Sequence, residues 1–339
     1  MKVSQEIQQL RMERPHVIIL GAGCSKAALP QGDVNGNHLP LMDDFLDVVG
    51  QVKDVLEGAG VPVQGKNFEE IYSSLVATGY SDLQNKVESL IFRYFEALLL
   101  PDHPTLYDHL LLSLRDKDVI ATFNWDPFLL QALKRNRHIL PRPPQILFLH
   151  GNVMVGFCET HKTQGFEDTR CPRCGKFPTP SRLLYPVGEK NYEENPMIAD
   201  SWKQLRLDLK HAFMMTVFGY GAPVSDIAAI KLMKEALGNT EQNKLKLFEI
   251  IDIRPREELL EVWDPFIKNY GYHYKIHSDF YCSYIAKHPR RTGEAFIDQY
   301  LKGTWICNNP VPRERSFTEL WEWTKPLLET EKQAESSVK

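Results

Sequence analysis

The chain has no run approaching the ~20 consecutive apolar residues that a membrane helix requires. Its first residues, MKVSQEIQQLRMER, lack the apolar core of a secretory signal. There is no internal repeat and no low-complexity tract, so a repeat architecture is not expected. Long basic blocks are absent. With 40 Lys and Arg against 44 Asp and Glu the net charge is −4, which argues against nucleic acid as a direct partner. The two short basic patches, Lys134-Arg135-Asn136-Arg137 and Arg290-Arg291, read as solvated surface. Cysteine is sparse: there are six, three of them grouped with one His, which suits a reducing compartment better than a disulfide framework. A soluble, cytoplasmic protein without membrane association is expected. The 339 residues, 43% hydrophobic, allow one large domain or two ordinary ones.

Short apolar runs alternate with helical patterns. His16–Leu20 (HVIIL), 119–123 (VIATF), 145–149 (QILFL), 212–218 (AFMMTVF) and 247–253 (LFEIIDI) read as buried strands, and 272–276 as a sixth. Residues 4–13, 197–210, 225–237 and most of 41–115 read as helical. In the last of these, Phe68, Ile71, Tyr72 and Leu75, then Leu83, Val87, Ile91 and Tyr94, recur at helical spacing. Residues 28–40 read as a loop, and the last dozen, which are charged, as disordered. Strands alternating with helices predict an α/β fold with a parallel sheet.

The polar residues of interest follow predicted strands, where open α/β sheets bind ligands. Gly21 and Gly23 lie in a turn between the first strand and a helix. They suit close approach of a pyrophosphate to a helix N-terminus, with Ser25 adding a hydroxyl; a tight structural turn reads equally well. The third glycine of the usual dinucleotide fingerprint is absent, since Lys occupies position 26. Asn124 and Asp126 follow the second strand and His150 the third. A His is a candidate general base, an Asn can orient water or a ribose hydroxyl, and Asp126 reads either as a site carboxylate or as a helix cap.

Cys158-x-x-His161 and Cys171-x-x-Cys174 are two chelating pairs, each on a tight turn. They fit tetrahedral zinc, and four protein ligands leave no open position, so the metal is expected to be structural. Cys282 and Cys307 read as small buried residues. Cys24 lies in the candidate site with no base placed to activate it.

In order and spacing these elements, GAGCS, TFNWD at 122–126, LHG at 149–151, the zinc module and a glycine turn after a strand, resemble the sirtuin (Sir2) family over about residues 14–310. The resemblance implies a Rossmann-like catalytic domain (1–310) carrying a helical module (41–115) and a zinc-ribbon-like module (152–185), with residues 311–339 as a C-terminal helix and disordered tail. It implies NAD+ as substrate and structural Zn2+. Asn124, His150 and Asp126 would be catalytic, with His150 the base. Gly21, Ala22, Gly23, Cys24, Ser25, Asp33, Thr122, Phe123, Gly219, Tyr220 and Gly221 would contact NAD+. Asp252 would meet the adenosine ribose or stand as a solvated carboxylate.

Departures refine the reading. Phe123 stands where protein-deacylating sirtuins have Gln, the loop after the first motif lacks their Phe-Arg, and the second glycine turn reads GYGAPVSD. These features look like bacterial antiphage effectors that hydrolyse NAD+ to nicotinamide and ADP-ribose. The zinc module pulls toward the deacylases, so an NAD-dependent protein-lysine deacylase is the alternative, and a silent NAD-sensing or scaffold subunit a third. The family-like region fills nearly the whole chain. Control by homo-oligomerisation or by a separate sensor or activator protein from the same operon is therefore expected.

Overall fold

The computed structural model describes residues 1–187, 192–222, 226–238, 245–267 and 273–338. Its central sheet contains β1 (His16–Leu20), β2 (Val119–Thr122) and β3 (Gln145–Phe148). Three short strands outside it follow, β4 (Val155–Cys158), β5 (Thr163–Phe166) and β6 (Thr179–Pro180), before the chain returns as β7 (Met214–Phe218), β8 (Leu247–Ile251) and β9 (His273–His277). The order β3-β2-β1-β7-β8-β9 is parallel throughout. Counted within the sheet, this is 3-2-1-4-5-6, the doubly wound order whose direction reverses beside the first strand. The α/β class predicted from the alternating pattern is therefore observed.

β1 reads as an unbroken apolar run because both faces of the sheet are covered. Ile18 and Leu20 pack into a core shared with Phe45, Phe68, Ile91 and Leu110 of the helical stretch. Val17 and Ile19 face the opposite core, built with Trp202, Met233 and Trp263 from helices Pro196–His211, Ile227–Leu237 and Arg256–Ile267. The helical stretch consists of Phe45–Val48, Gly50–Gly58, Phe68–Thr78, Ser81–Glu96 and Leu106–Leu112. The third of these starts at Asn67, whose side chain accepts from Glu70 N while Glu70 reaches back, a capping box that fixes the helix start.

Several boundaries differ from the sequence expectation. The first helix is only Val3–Ile7. Ser225 and Tyr272, the expected first residues of a helix and of the sixth strand, lie outside the described residues; the helix is described from Ile227 and the strand from His273. The larger correction is at the C-terminus. The helix there, Phe317–Val338, runs on through the charged last dozen residues expected to be disordered; Leu320, Thr324 and Leu327 before them and Thr330 within them are buried. Charge alone suggested disorder there, but an apolar stripe at helical spacing outweighs it.

This helix also overturns the reading of Arg290-Arg291 as solvated. Both are buried. Glu331 takes Arg290 Nη2 at 2.6 Å and Arg291 Nη1 at 2.7 Å, and Arg291 also donates to Ile7 O and Leu327 O. Arg135, in the other basic patch, is bound to the buried Asp108. Cys282 and Cys307, expected inside, are exposed. Removing Glu331 leaves two buried guanidiniums without their carboxylate. Glu331→Ala is expected to lower unfolding free energy by about 3 kcal/mol, read from urea denaturation, and Glu331→Asp to lower it less.

Candidate active site

The parallel register brings the strand ends to one level. Phe123 N donates to Leu20 O, Leu149 N to Thr122 O, Gly21 N to Phe218 O and Gly219 N to Ile251 O, at 2.9 to 3.0 Å. The turns after β1, β2, β3 and β7 therefore surround one space at the point where strand order reverses. A cavity of about 160 Å³ lies there, and its walls include Gly21, Phe123, Asn124, Asp126, His150 and Tyr220. Ala22, Trp125 and Asp226 line it too, roofed by Phe45 of the helical module and by Leu184 and Pro186 beyond the zinc module.

The glycine turns meet each other. A Cβ on Gly21 would lie 2.5 Å from Tyr220 Cα, one on Gly23 2.8 Å from Gly219 Cα, and one on Gly219, whose φ is +61°, 2.2 Å from Cys24 N. Gly23 N donates to Gly219 O at 2.9 Å and Cys24 N to Gly21 O at 2.9 Å. The close approach that glycine permits at Gly21, Gly23 and Gly219 is thus of one backbone to another. Those amides serve the protein, which gives the structural reading of the turn its physical reason.

Ser25 is wholly buried. Its Oγ donates to Asp126 Oδ2 at 2.6 Å, meets Tyr107 OH at 2.5 Å and accepts from Asn124 Nδ2 at 2.9 Å. A hydroxyl so engaged has no donor left for a phosphate. Asn124 Nδ2 also donates to Gly21 O at 3.0 Å. A carbonyl can only accept, so the amide nitrogen is the atom that faces Gly21 O and Ser25. Asp126 Oδ1 accepts from Phe128 N at 3.3 Å at the start of the following helix, while the residue also lines the cavity. Burial pushes its carboxyl up to about 6 despite the Ser25 and Phe128 bonds that lower it. Burial, then the Asp126 charge, pushes the Tyr107 phenol well up, so Tyr107 is a hydroxyl donor here. Asn152 Nδ2 donates to Asp126 O at 2.7 Å and braces this turn from the β3 side.

His150 is buried. Its ring meets the edge of Phe123 at 4.7 Å and stacks on Tyr192 at 5.9 Å, and its carbonyl accepts from Leu184 N at 2.9 Å. Nε2 lies 3.8 Å from Asp226 Oδ1. Phe123 stacks flat on Tyr220 at 4.1 Å.

The other expected contacts lie outside the cavity. Thr122 Oγ1 accepts from Asn124 N at 3.0 Å and shapes the turn. Cys24 is buried, which pushes its thiol up and makes it unreactive. Asp33 accepts from Asn35 N, Asn37 N and Leu99 N and organises its own loop. Asp252 grips Arg254 with both oxygens, and Arg254 Nη2 lies 2.9 Å from Oδ2. Gly221 has none of the described atoms within 4 Å of its Cβ position. Conversely, Tyr107, Asn152, Tyr192 and Asp226 were not picked out from sequence. For Asp226 a signal existed, a carboxylate closing the GYGAPVSD turn; for the other three there was none.

The zinc ligands converge. Cys158 Sγ lies 3.6 Å from His161 Nδ1 and 3.6 Å from Cys174 Sγ, and Cys171 Sγ 3.5 Å from His161 Nδ1. All four ligand atoms fall within 4.8 Å of one another. Tetrahedral zinc at ordinary bond lengths needs separations of about 3.6–3.8 Å, so the donor set fits the metal. Lys162 and Gly175, each following the second ligand of a pair, have φ of 51° and 69° and close the two turns. Backbone N–H groups of Arg173 and Cys174 pull the Cys171 thiol down to about 6, toward the thiolate that binds metal.

No family profile and no curated protein matches the chain. Solved structures similar to it include Sir2 structures. One, with an inhibitor, 2'-O-acetyl-ADP-ribose and a deacetylated peptide, is 15% identical at a TM-score of 0.36, over 86% of this chain and 95% of that one. A Sir2 homolog–NAD complex is 12% identical at 0.35, over 89% and 92%. A Sir2 homologue mutant with ADP-ribose is 12% identical at 0.38, over 96% and 97%. All three likenesses are distant.

Two outcomes check this geometry. Purified chain should carry one zinc by elemental analysis; Cys171→Ser should lose it and admit protease cleavage within 158–176. Gly219→Ala forces a left-handed alanine onto the Cys24 amide. It should cost about 2 kcal/mol or more in thermal unfolding.

Proposed function

We propose that the chain is an NAD+ hydrolase that releases nicotinamide and ADP-ribose. The observation that carries this reading is the lining of the cavity. His150 and Asn124 share it with three carboxyl groups, Glu69, Asp126 and Asp226, in otherwise apolar and aromatic walls, and no Lys or Arg lines it among the described residues. Such a space favours a cationic ring and the positive charge that grows on a ribose as its glycosidic bond breaks. At about 160 Å³ it is smaller than the usual ~300 Å³ or more of a ligand site. It has room for a ring rather than a dinucleotide, so the nicotinamide end is the part enclosed. The flat Phe123–Tyr220 pair offers that ring an aromatic wall.

In the reaction the bond between ribose C1′ and the nicotinamide ring nitrogen breaks. Its electron pair stays on the nitrogen and neutralises the ring. A water oxygen bonds to C1′ and its proton passes to His150, while Asn124 Oδ1 accepts a hydrogen bond from that water or from a ribose hydroxyl. Positioned proton transfer contributes about 10²–10⁴-fold, and the fixed carboxylates act on the charge already present. The sequence departures at Phe123 and in the GYGAPVSD turn support hydrolysis over deacylation, and the role as an antiphage effector rests on the same motifs. Control by self-association or by an operon-encoded sensor is part of this proposal.

One observation favours the second reading. A groove of about 900 Å³ runs between Tyr72, Glu88 and Phe92 of the helical module and 181–187 beyond the zinc module, and it shares Leu184 with the cavity. It has room for the acylated peptide that a deacylase needs. Incubating the chain with NAD+, with and without acetylated peptide, separates the two by product mass. Free ADP-ribose without peptide supports hydrolysis; O-acetyl-ADP-ribose only with peptide supports deacylation. His150→Ala and Asn124→Ala should each lower nicotinamide release at least a hundredfold, and turnover persisting in both would remove these assignments.

A further inference from the structure

We infer that Asp226 is the positioning residue for His150: its carboxylate, tied by the Tyr220 hydroxyl, orients the imidazole and stabilises the imidazolium that forms when His150 takes a proton. The inference rests on His150 being the proton acceptor in NAD+ cleavage.

The geometry is a closed circuit of four side chains. His150 Nε2 lies 3.8 Å from Asp226 Oδ1. The other oxygen of that carboxylate accepts from Tyr220 OH at 2.9 Å. The Tyr220 ring lies flat on Phe123, with an interplanar angle of 1°, and Phe123 presents its edge back to His150 at 82°. Tyr220 is held from behind by Trp263 at 6.2 Å. Each member fixes the next, and the acid and base side chains are only 4% and 8% exposed.

Helix capping does not account for Asp226. It stands immediately before Ile227–Leu237, yet its side chain makes no capping bond to that helix. The separation of 3.8 Å exceeds a hydrogen bond but is within ion-pair range once the ring is charged. Contacts of this kind tighten when substrate and transition state assemble. His150 is also faced by Tyr192, which stacks on it, and by Asp126 and Glu69 in the cavity wall. Asp126 Oδ2 is engaged by Ser25, whereas Asp226 is, among the described residues, the carboxylate in ion-pair range of the imidazole, so its charge should raise the midpoint of the ring.

Two variants test this, Asp226→Asn and Tyr220→Phe, with His150 followed by ring-nitrogen resonances in histidine-labelled protein and assigned by its loss in His150→Gln. In Asp226→Asn the His150 midpoint should fall by about one pH unit or more. The acid limb of nicotinamide release should move down by the same amount, the plateau rate should drop at least tenfold, and NAD+ binding by calorimetry should change less than threefold. In Tyr220→Phe the carboxylate loses a donor that stabilises its charge, so the midpoint should move up. An unchanged midpoint in folded Asp226→Asn overturns the inference. So does a fall in Tyr220→Phe as large as in Asp226→Asn, since both would then report general loosening. If the midpoint shifts as stated but wild-type chain releases no nicotinamide, the pairing stands and the hydrolase reading falls.

Discussion

Everything at the candidate site depends on two glycine turns packing backbone to backbone. The chain leaves β1 and β7 side by side, and Gly219 sits against Gly23 and Cys24 with no room for a side chain on either partner. This contact brings Tyr220 over the cavity and holds Gly21 O where Asn124 binds it. Interiors packed at this density respond to an added methyl by shifting backbone rather than by compressing. The two turns therefore specify each other. The cavity sits at the reversal of strand order because only there do two adjacent crossovers leave the sheet toward opposite faces and open a crevice.

The second layer of the site is a saturated polar knot. Ser25, Tyr107 and the pair Asn124 and Asp126 come from three separate segments and satisfy one another away from water. Such networks are costly when half-made and rigid when complete. Ser25 is central, since its one oxygen has three partners. The knot fixes which way the Asn124 amide nitrogen faces. It also leaves Asp126 with an unusually high proton affinity for an aspartate, poised near neutral pH.

The sequence made the strand ends legible and hid what faces them. β1, β2, β3 and β7 are short apolar runs closed by Gly, Asn or His, so their periodicity and punctuation located Gly21, Asn124, His150 and Tyr220 within a residue or two. The zinc ligands were legible because chelation imposes local spacing. Tyr107 was not, because a tyrosine in LYDHLLL looks like any core aromatic; only the tertiary fold shows its hydroxyl against Ser25. Asp33 and Asp252 show the complementary difficulty, since both are taken up by local partners. A carboxylate after a strand or in a glycine-rich loop suits a ribose, but it equally suits nearby amides or an arginine two residues on, and local partners win when they are always in reach. The continuation of the C-terminal helix through the charged last dozen residues went unread because its lock, Glu331 with Arg290 and Arg291, joins residues forty positions apart.

The walls of the cavity come from three bodies, and this bears on how its chemistry is gated. The turns at the strand ends supply most of the polar groups, the helical module supplies Met42, Phe45, Glu69 and Phe95, and the segment beyond the zinc ligands supplies Leu184 and Pro186. Sheet residues are fixed by register and by the glycine contact. The roof is fixed only by apolar packing and by a few bonds such as Leu184 N to His150 O and Tyr185 OH to Glu88 O. A displacement of the roof by the width of one methyl group would change a cavity of about 160 Å³ substantially, while leaving His150, Asn124 and Asp126 in place. The energetically cheap motions of this fold are therefore those that admit or exclude ligand and water. The costly ones are those that would disturb the groups at the strand ends, so a shift of either module reaches the cavity without dismantling it.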